Sequence, residues 1–230
     1  MTPTPEIRSD DPRARAAQTK RDRTRRALLD AADAAFASRG WLRTRVEDIA
    51  TAAGVSAATA YNHFPSKHVL IGHVYAPLIS PLVVQAERDR AADRPVVAAL
   101  ADQVRALART SWRHHGLTAA FCSAVQDYTI RVEGPPDPAD DMDPRNVAPV
   151  PATILGLIED GQSTGQLHPY PPALEISGAV VNLLLLRAIN RPHEPHEHTA
   201  ELLLTVLFGS LRPEILAASG LEGRPFRDGN

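Results

Sequence analysis

Thr44, Arg45, Ser56, Ala57, Thr59, Tyr61, Asn62, His63 and Lys67 fall within 24 residues of a 230-residue chain. Their hydroxyls, amide, imidazole and two cations suit recognition of a polyanion. Amide and hydroxyl groups read base edges, while cations and helix N-termini hold phosphates. None of these groups is spaced as a nucleophile beside a base. The chain has no Gly-rich phosphate loop, no nucleophile elbow and no HExxH. The pattern points to binding without catalysis, and no cofactor is expected.

Such side chains work only if a short helix presents them. Thr44-x-x-Glu47 has capping-box spacing and predicts a helix start. Val46, Ile49, Ala50 and Ala53 then recur at helical spacing as one apolar face. Gly54 falls where the helix must stop, because glycine accepts the left-handed conformation of a helix end. Ser56 can cap a second helix that runs to about His63. Phe64-Pro65 closes it, with Phe64 as a core aromatic, and Ser66 can cap a third that begins at Lys67. Helix, Gly-containing turn and short second helix is the layout that places side chains in the DNA major groove.

The segment resembles the DNA-binding domain of the TetR family of bacterial transcriptional repressors. The resemblance rests on Phe36, Gly40, Thr44, Asp48-Ile49-Ala50, Ala53-Gly54-Val55-Ser56, Thr59, Tyr61, Phe64 and Ser66-Lys67, and covers roughly residues 20 to 70. It implies that Tyr61 and Lys67 grip phosphates and that the start of the second helix faces bases. Thr44 and Arg45 would reach the opposite wall of the groove. Many members carry a cation and a glycine where this chain has Ala57 and Ala58. The base code should therefore rest on Thr59, Asn62 and His63, with the alanines able to touch thymine methyls.

Charge is divided along the chain in a way that suits this reading. Residues 1–67 hold 12 Lys and Arg against 8 Asp and Glu, and residues 68–230 hold 13 against 19. Lys20, Arg21, Arg23, Arg25 and Arg26 form a dense basic run before the motif. The single cysteine, Cys122, forbids an intrachain disulfide and fits a reducing cytoplasm. No secretory signal pattern is visible at the N-terminus. The longest apolar run, Ile176 to Leu186, is interrupted and is read as too short to span a bilayer.

The remaining pattern is all-α. Residues 1–18 read as a disordered arm, 19–67 as the DNA-binding domain, 68–215 as a helical ligand-binding and dimerisation domain, and 216–230 as an irregular tail. A first helix is expected from about Gln18 to Arg39, ending at Gly40. A fourth begins at Ser66 and should be kinked or broken at Pro77 and Pro81. Further helices are expected at 96–114, ended by Gly116 and with Val97 on the buried face, and then at 117–132. Six prolines and four aspartates make 134–151 a long loop. Helices are expected again at 151–165, 172–190 and 196–211.

The last two helices are so apolar that they need burial beyond one subunit. They are expected to pair with a second copy, giving a homodimer on a near-palindromic operator of double-stranded DNA. Trp112, Phe121 and Tyr128 are candidate walls of a pocket for a small organic effector. His193, His196 and His198 stand among Glu194 and Glu197 in a proline-bearing segment that reads as an exposed turn. The alternative is a metal-responsive regulator that uses this segment.

Overall fold

A computed structural model of the chain describes residues 12–134 and 136–211. Within them lie ten helices and no strand. They are α1 Pro12–Arg43, α2 Val46–Ala52, α3 Ala57–His63, α4 Lys67–Ala91, α5 Val96–Arg113, α6 His115–Val132, α7 Pro144–Val147, α8 Ala152–Ser163, α9 Ala173–Asn190 and α10 His196–Leu211. The all-α expectation holds. The expected tail after residue 215 and the first eleven residues of the expected arm lie outside the described residues. Residues 12–18, expected as arm, instead open α1.

α4 is the central element and packs against α1, α5, α6, α7 and α8. α1 also lies across α6, and α5, α8, α9 and α10 pack together beyond it. The core is continuous from Leu28, Phe36, Ile49 and Phe64, through Leu70 and Ile71, to Leu100, Leu157, Leu184 and Leu207. At its centre Tyr75 stacks on Phe121, with ring centroids 4.3 Å apart and planes 11° from parallel. Burial raises the Tyr75 phenol to about 12, and its hydroxyl pairs with Thr118 Oγ1 at 3.2 Å. Arg90 clamps Asp160 through two hydrogen bonds of 2.6 and 2.9 Å, tying α4 to α8.

Several expected boundaries move for identifiable reasons. Gly40 does end the regular part of α1, with φ 71°, but the chain resumes helical geometry to Arg43. Pro77 and Pro81 do not break α4, which runs unbroken to Ala91. Both prolines lie on the exposed side of α4, so their rings do not disturb its packed face. Gly116 does not end α5 but belongs to the first turn of α6. A Cβ there would stand 2.4 Å from the Ala37 carbonyl oxygen, so glycine lets α6 cross close to α1. Val97 is exposed, while Val96, Leu100, Val104 and Leu107 form the buried face of α5. The 134–151 segment contains the short α7, started by Asp143, whose carboxylate accepts from Arg145 N at 2.8 Å. Pro144 and Val147 of α7 lie against Gly72 of α4.

α4 and α9 are each long and apolar enough, by length and composition, to cross a membrane. For α9 this extends the shorter, interrupted run visible in the sequence. Each helix buries one face within the fold, and Arg187 in the last turn of α9 is held there by Thr199 Oγ1 at 3.2 Å and by Glu194.

Candidate nucleic-acid interface

α2 and α3 form the expected pair. Ile49 and Ala50 bury the inner face of α2. The turn is closed by Gly54 N donating to Thr51 O at 3.1 Å and Val55 N to Ala50 O at 2.9 Å. Gly54 has φ 71°, the left-handed region that favours glycine. Ser56 Oγ caps α3 by accepting from Thr59 N at 3.1 Å and lies 2.9 Å from Thr59 Oγ1. α3 buries Ala60, and Phe64 behind it is fully buried as expected. The Arg25 guanidinium stands 4.4 Å over the Phe64 ring, and its Nη1 reaches His63 O at 3.4 Å. α3 is thereby fixed to α1 at its C-terminal end.

The outward face of α3 carries Ala58, Tyr61 and Asn62, with Ala57, Thr59 and His63 half-buried beside them. Ala58 offers only a methyl, yet it is as well presented as Asn62. Ser56 and Thr59 spend part of their hydrogen-bonding capacity on the helix cap. Tyr61 Oη donates to Glu47 Oε1 at 3.2 Å. Desolvation, then the Glu47 charge and this bond, push the phenol above its usual value, so it remains a neutral donor. Arg45 is exposed at the start of α2.

One expectation from sequence, the cap at Thr44, needs correction, and Lys67 rests in a position the sequence does not indicate. Thr44 does not cap α2. Arg45 occupies the cap position without a side-chain bond, and Thr44 is buried. Its hydroxyl donates to Gly40 O at 2.7 Å and Ala35 O at 3.2 Å, bracing the corner between α1 and α2. The capping box fails because these carbonyls, left over where Gly40 interrupts the helix, compete for the hydroxyl. That side chain is turned away from any groove.

Lys67 lies at the first position of α4, as the sequence indicates, but its head is folded back. Nζ donates to Trp41 O and sits 3.9 Å over the Trp41 ring. Burial lowers its pKa, against an opposing pull from Asp127. Sequence reasoning misses Trp41. It follows Gly40 directly, and an aromatic residue after a helix break is the available signal.

His68 lies beside Trp41 at 4.8 Å and beside Tyr128 at 5.2 Å, with Nε2 2.8 Å from Asp127 Oδ2. Desolvation holds His63, His68 and His73 below the ordinary histidine value of 6.5. Asp127 opposes this at His68, whereas Arg25 reinforces it at His63 and His73. The unfolded chain therefore binds protons more readily than the folded one between 6.5 and the depressed values. The contribution of these histidines to stability is fully present above 6.5 and is lost as pH falls through the depressed values. Thermal midpoints should fall between pH 7.5 and 5.5. A variant with His63, His68 and His73 all replaced by glutamine should lose much of that slope.

The three candidate pocket residues do not meet. Trp112 is exposed, with its ring 5.5 Å from His196. Phe121 is buried against Tyr75. Tyr128 is half-buried and donates its hydroxyl to Asp140, which raises the phenol to about 12. α6 places Phe121 and Tyr128 on different partners, so aromatic type alone could not reveal a shared wall. His193, His196 and His198 do not converge with acidic groups into a three-ligand cluster among the described residues. Arg187 takes Glu194, and His196 lies 3.2 Å from Glu197. Cys122 is buried, and its thiol is pushed up to about 11. A groove of about 500 Å³ lies where α1 meets α4 and α6, lined by Leu29, Asp33, His73, Pro77 and Leu117 among others.

Residues 28–74 match the family model of bacterial regulatory proteins, tetR family. No curated protein matches the chain in sequence. Among solved structures, the chain resembles Thermus thermophilus FadR, a TetR-family transcriptional repressor solved with lauroyl-CoA. The TM-score is 0.63 at 21% identity, over 90% of this chain and 99% of that one. The fatty acid degradation regulator FadR of Bacillus halodurans gives 0.61 at 15% identity, over 82% and 96%. RolR in complex with resorcinol gives 0.59 at 16% identity, over 90% and 97%. Residues 28–74 thus match the helix-turn-helix module of the tetR family, and the fold along most of the chain is similar to that of solved TetR-family regulators.

Proposed function

We propose that the chain is a cytoplasmic repressor that binds a near-palindromic operator as a homodimer and is released by a small organic effector. Residues 19–67 would form its DNA-binding domain and 68–215 its effector-binding and dimerisation domain. The observation that carries the reading is α3, capped by Ser56, locked to α1 through Arg25, and presenting Ala58, Tyr61 and Asn62 outward. A short helix held this firmly, with its polar residues outside, suits a major groove. The metal-responsive alternative finds no ligand cluster to support it among the described residues.

The effector is expected to lie within the helical domain rather than at the dispersed aromatics. Gln103 on α5 is buried, and its Nε2 donates to Leu82 O of α4 at 3.1 Å. Its Oε1 is buried without a partner among the described residues. An unsatisfied buried acceptor costs about 1–3 kcal/mol, so a ligand that supplies a donor there gains affinity. Ligands seen with similar structures, lauroyl-CoA in one and resorcinol in another, are organic molecules with polar groups. Release requires tighter binding to the state that cannot hold DNA, and a coupling of about 1–3 kcal/mol weakens operator binding roughly 5–150-fold. Titrating acyl-CoAs and phenols against a preformed operator complex, with chelator present, tests this. Release by Zn²⁺ or Ni²⁺ alone, abolished when His193, His196 and His198 are replaced, would favour the metal-responsive reading.

Contacts to DNA should separate by type. Lys67→Ala is expected to weaken binding to all sequences alike and to lower the salt slope by about one unit per subunit. For Lys67 this means that Nζ leaves Trp41 for a phosphate. Asn62→Ala should relax preference at one position of each half-site, at a cost of about 1–3 kcal/mol there. Salt titrations on matched and mismatched duplexes measure both.

A further inference from the structure

The groove of about 500 Å³ between α1, α4 and α6 falls within the usual size of small-molecule sites, roughly 300–1,000 Å³. Leu29, Val74, Leu78 and Leu117 give it an apolar lining, of which Val74 and Leu117 are buried. Charged groups stand among them. Asp22, Asp30 and Asp33 line the groove against Arg25 and Arg26, which leaves an excess of acid. Arg25 is committed to His63 O at 3.4 Å and to the Phe64 ring, and Asp22 accepts from Gln18 Nε2 at 2.8 Å. Asp30 and Asp33 take no hydrogen bond or ion pair among the described residues.

α4 adds further acceptors. Pro77 and Pro81 lack an N–H, so the carbonyls of His73 and Pro77 lose their usual partners within this unbroken helix. His73 and Pro77 both line the groove. Desolvation and then the Arg25 charge lower the His73 pKa, so its ring stays uncharged near neutral pH. Ionised carboxylates and backbone carbonyls only accept hydrogen bonds. Beside an apolar lining they match one class of small molecule, an apolar body that carries a cationic N–H donor.

We propose that this groove binds a small organic cation, with an ammonium or amidinium at Asp30 and Asp33 and an apolar body on Leu29, Leu78 and Leu117. The site is separate from the buried acceptor of Gln103, whose amide is bonded to Leu82 O. Occupancy bears on α3 as well. One wall of the groove is α1, and Arg25 on that wall is the residue that locks α3. The other wall is formed by α4 and α6. A ligand that touches both walls binds differently when they shift, so operator affinity responds to it. Binding in the groove stands apart from DNA, whereas this coupling rests on the DNA-binding reading above.

The probes are phenethylammonium and benzamidinium, titrated calorimetrically into the full chain, with phenethyl alcohol and phenylacetate as neutral and anionic counterparts. Each cation is expected to saturate one site per subunit with a Kd at or below about 1 mM, and the counterparts to bind at least about tenfold more weakly. Asp30→Asn/Asp33→Asn removes two exposed carboxylates and should weaken both cations about tenfold. The control Glu87→Gln/Asp93→Asn removes two exposed carboxylates elsewhere and should bind as the wild type does. Methyl resonances of Leu29 and Leu78 should shift on saturation. Saturating phenethylammonium should change operator affinity at least about fivefold for the wild type and leave the Asp30/Asp33 variant unaffected. Absence of saturable binding, equal binding by the wild type and the Asp30/Asp33 variant, or an equal loss in the control would overturn the site. An operator affinity unchanged at saturation would overturn the coupling. A wild type that selects no duplex from a random pool would instead count against the DNA-binding reading, and the titrations alone would then decide the groove.

Discussion

Replacing Leu186 and Ile189 by glutamate is expected to give folded monomers that bind operator on the order of 100- to 10,000-fold more weakly, because the second half-site no longer adds its effective concentration. Leu174, Leu186 and Ile189 are exposed to 66, 40 and 39%, and with Gly178 and Asn182 they fall at spacings of three and four along α9. That spacing makes one face of one helix. A stripe of large apolar side chains on a helix whose other side packs on α6 and α8 suits a symmetric partner surface, where each patch meets its own copy. Leu184 and Leu207 would be poor probes of this surface. They are exposed by only 2% and 0%, so substituting them unfolds the subunit rather than separating two. Sedimentation at micromolar concentration checks the state. A wild-type protein that sediments as a monomer would remove the proposed dimer.

Gly116→Val is expected to be the most destabilising single change outside the aromatic core. An added Cβ would stand 2.4 Å from the Ala37 carbonyl oxygen, and that atom is backbone within a long helix. It cannot swing aside as a side-chain tip could. Overpacking costs about 1–3 kcal/mol where neighbours can adjust, and here the whole α1–α6 crossing must open. Operator binding should suffer along with stability, because α1 carries α2 and α3 with it. Urea unfolding measures the loss, and a midpoint shift below about half a molar would show that the crossing tolerates the added bulk. A typical urea slope is about 1–3 kcal/mol per molar.

The helices are legible in the sequence where local chemistry decides them. Ser56 and Ser66 start α3 and α4, Gly54 ends the turn, and the apolar spacing of Ile49 and Ala50 sets the inner face. They are not legible where distant partners decide. Thr44 and Glu47 have the spacing of a capping box, but the carbonyls freed at Gly40 take the threonine hydroxyl and Tyr61 takes the glutamate. Gly116 resembles a helix end because its reason to be glycine lies on α1. Pro77 and Pro81 resemble a break because sequence does not reveal that both rings face solvent. Trp112, Phe121 and Tyr128 resemble a pocket because aromatic type is visible and direction is not.

The residues proposed to face DNA show the same division. Tyr61 and Asn62 follow from the turn and cap alone, since both lie on the face opposite Ala60. The folded-back position of Lys67 could not be read, because its partner Trp41 lies 26 residues earlier. Arg25 belongs to the same class. Its place at the end of α3 depends on α1 crossing behind the motif.

Selection of bound duplexes from a random pool, followed by measurement of binding stoichiometry, tests the central claim most directly. A symmetric operator-binding dimer should enrich a near-palindrome whose half-sites are related by two-fold symmetry, with an even number of subunits bound per site. Recovery of no enriched sequence, or of a single asymmetric site bound by one subunit, would contradict it.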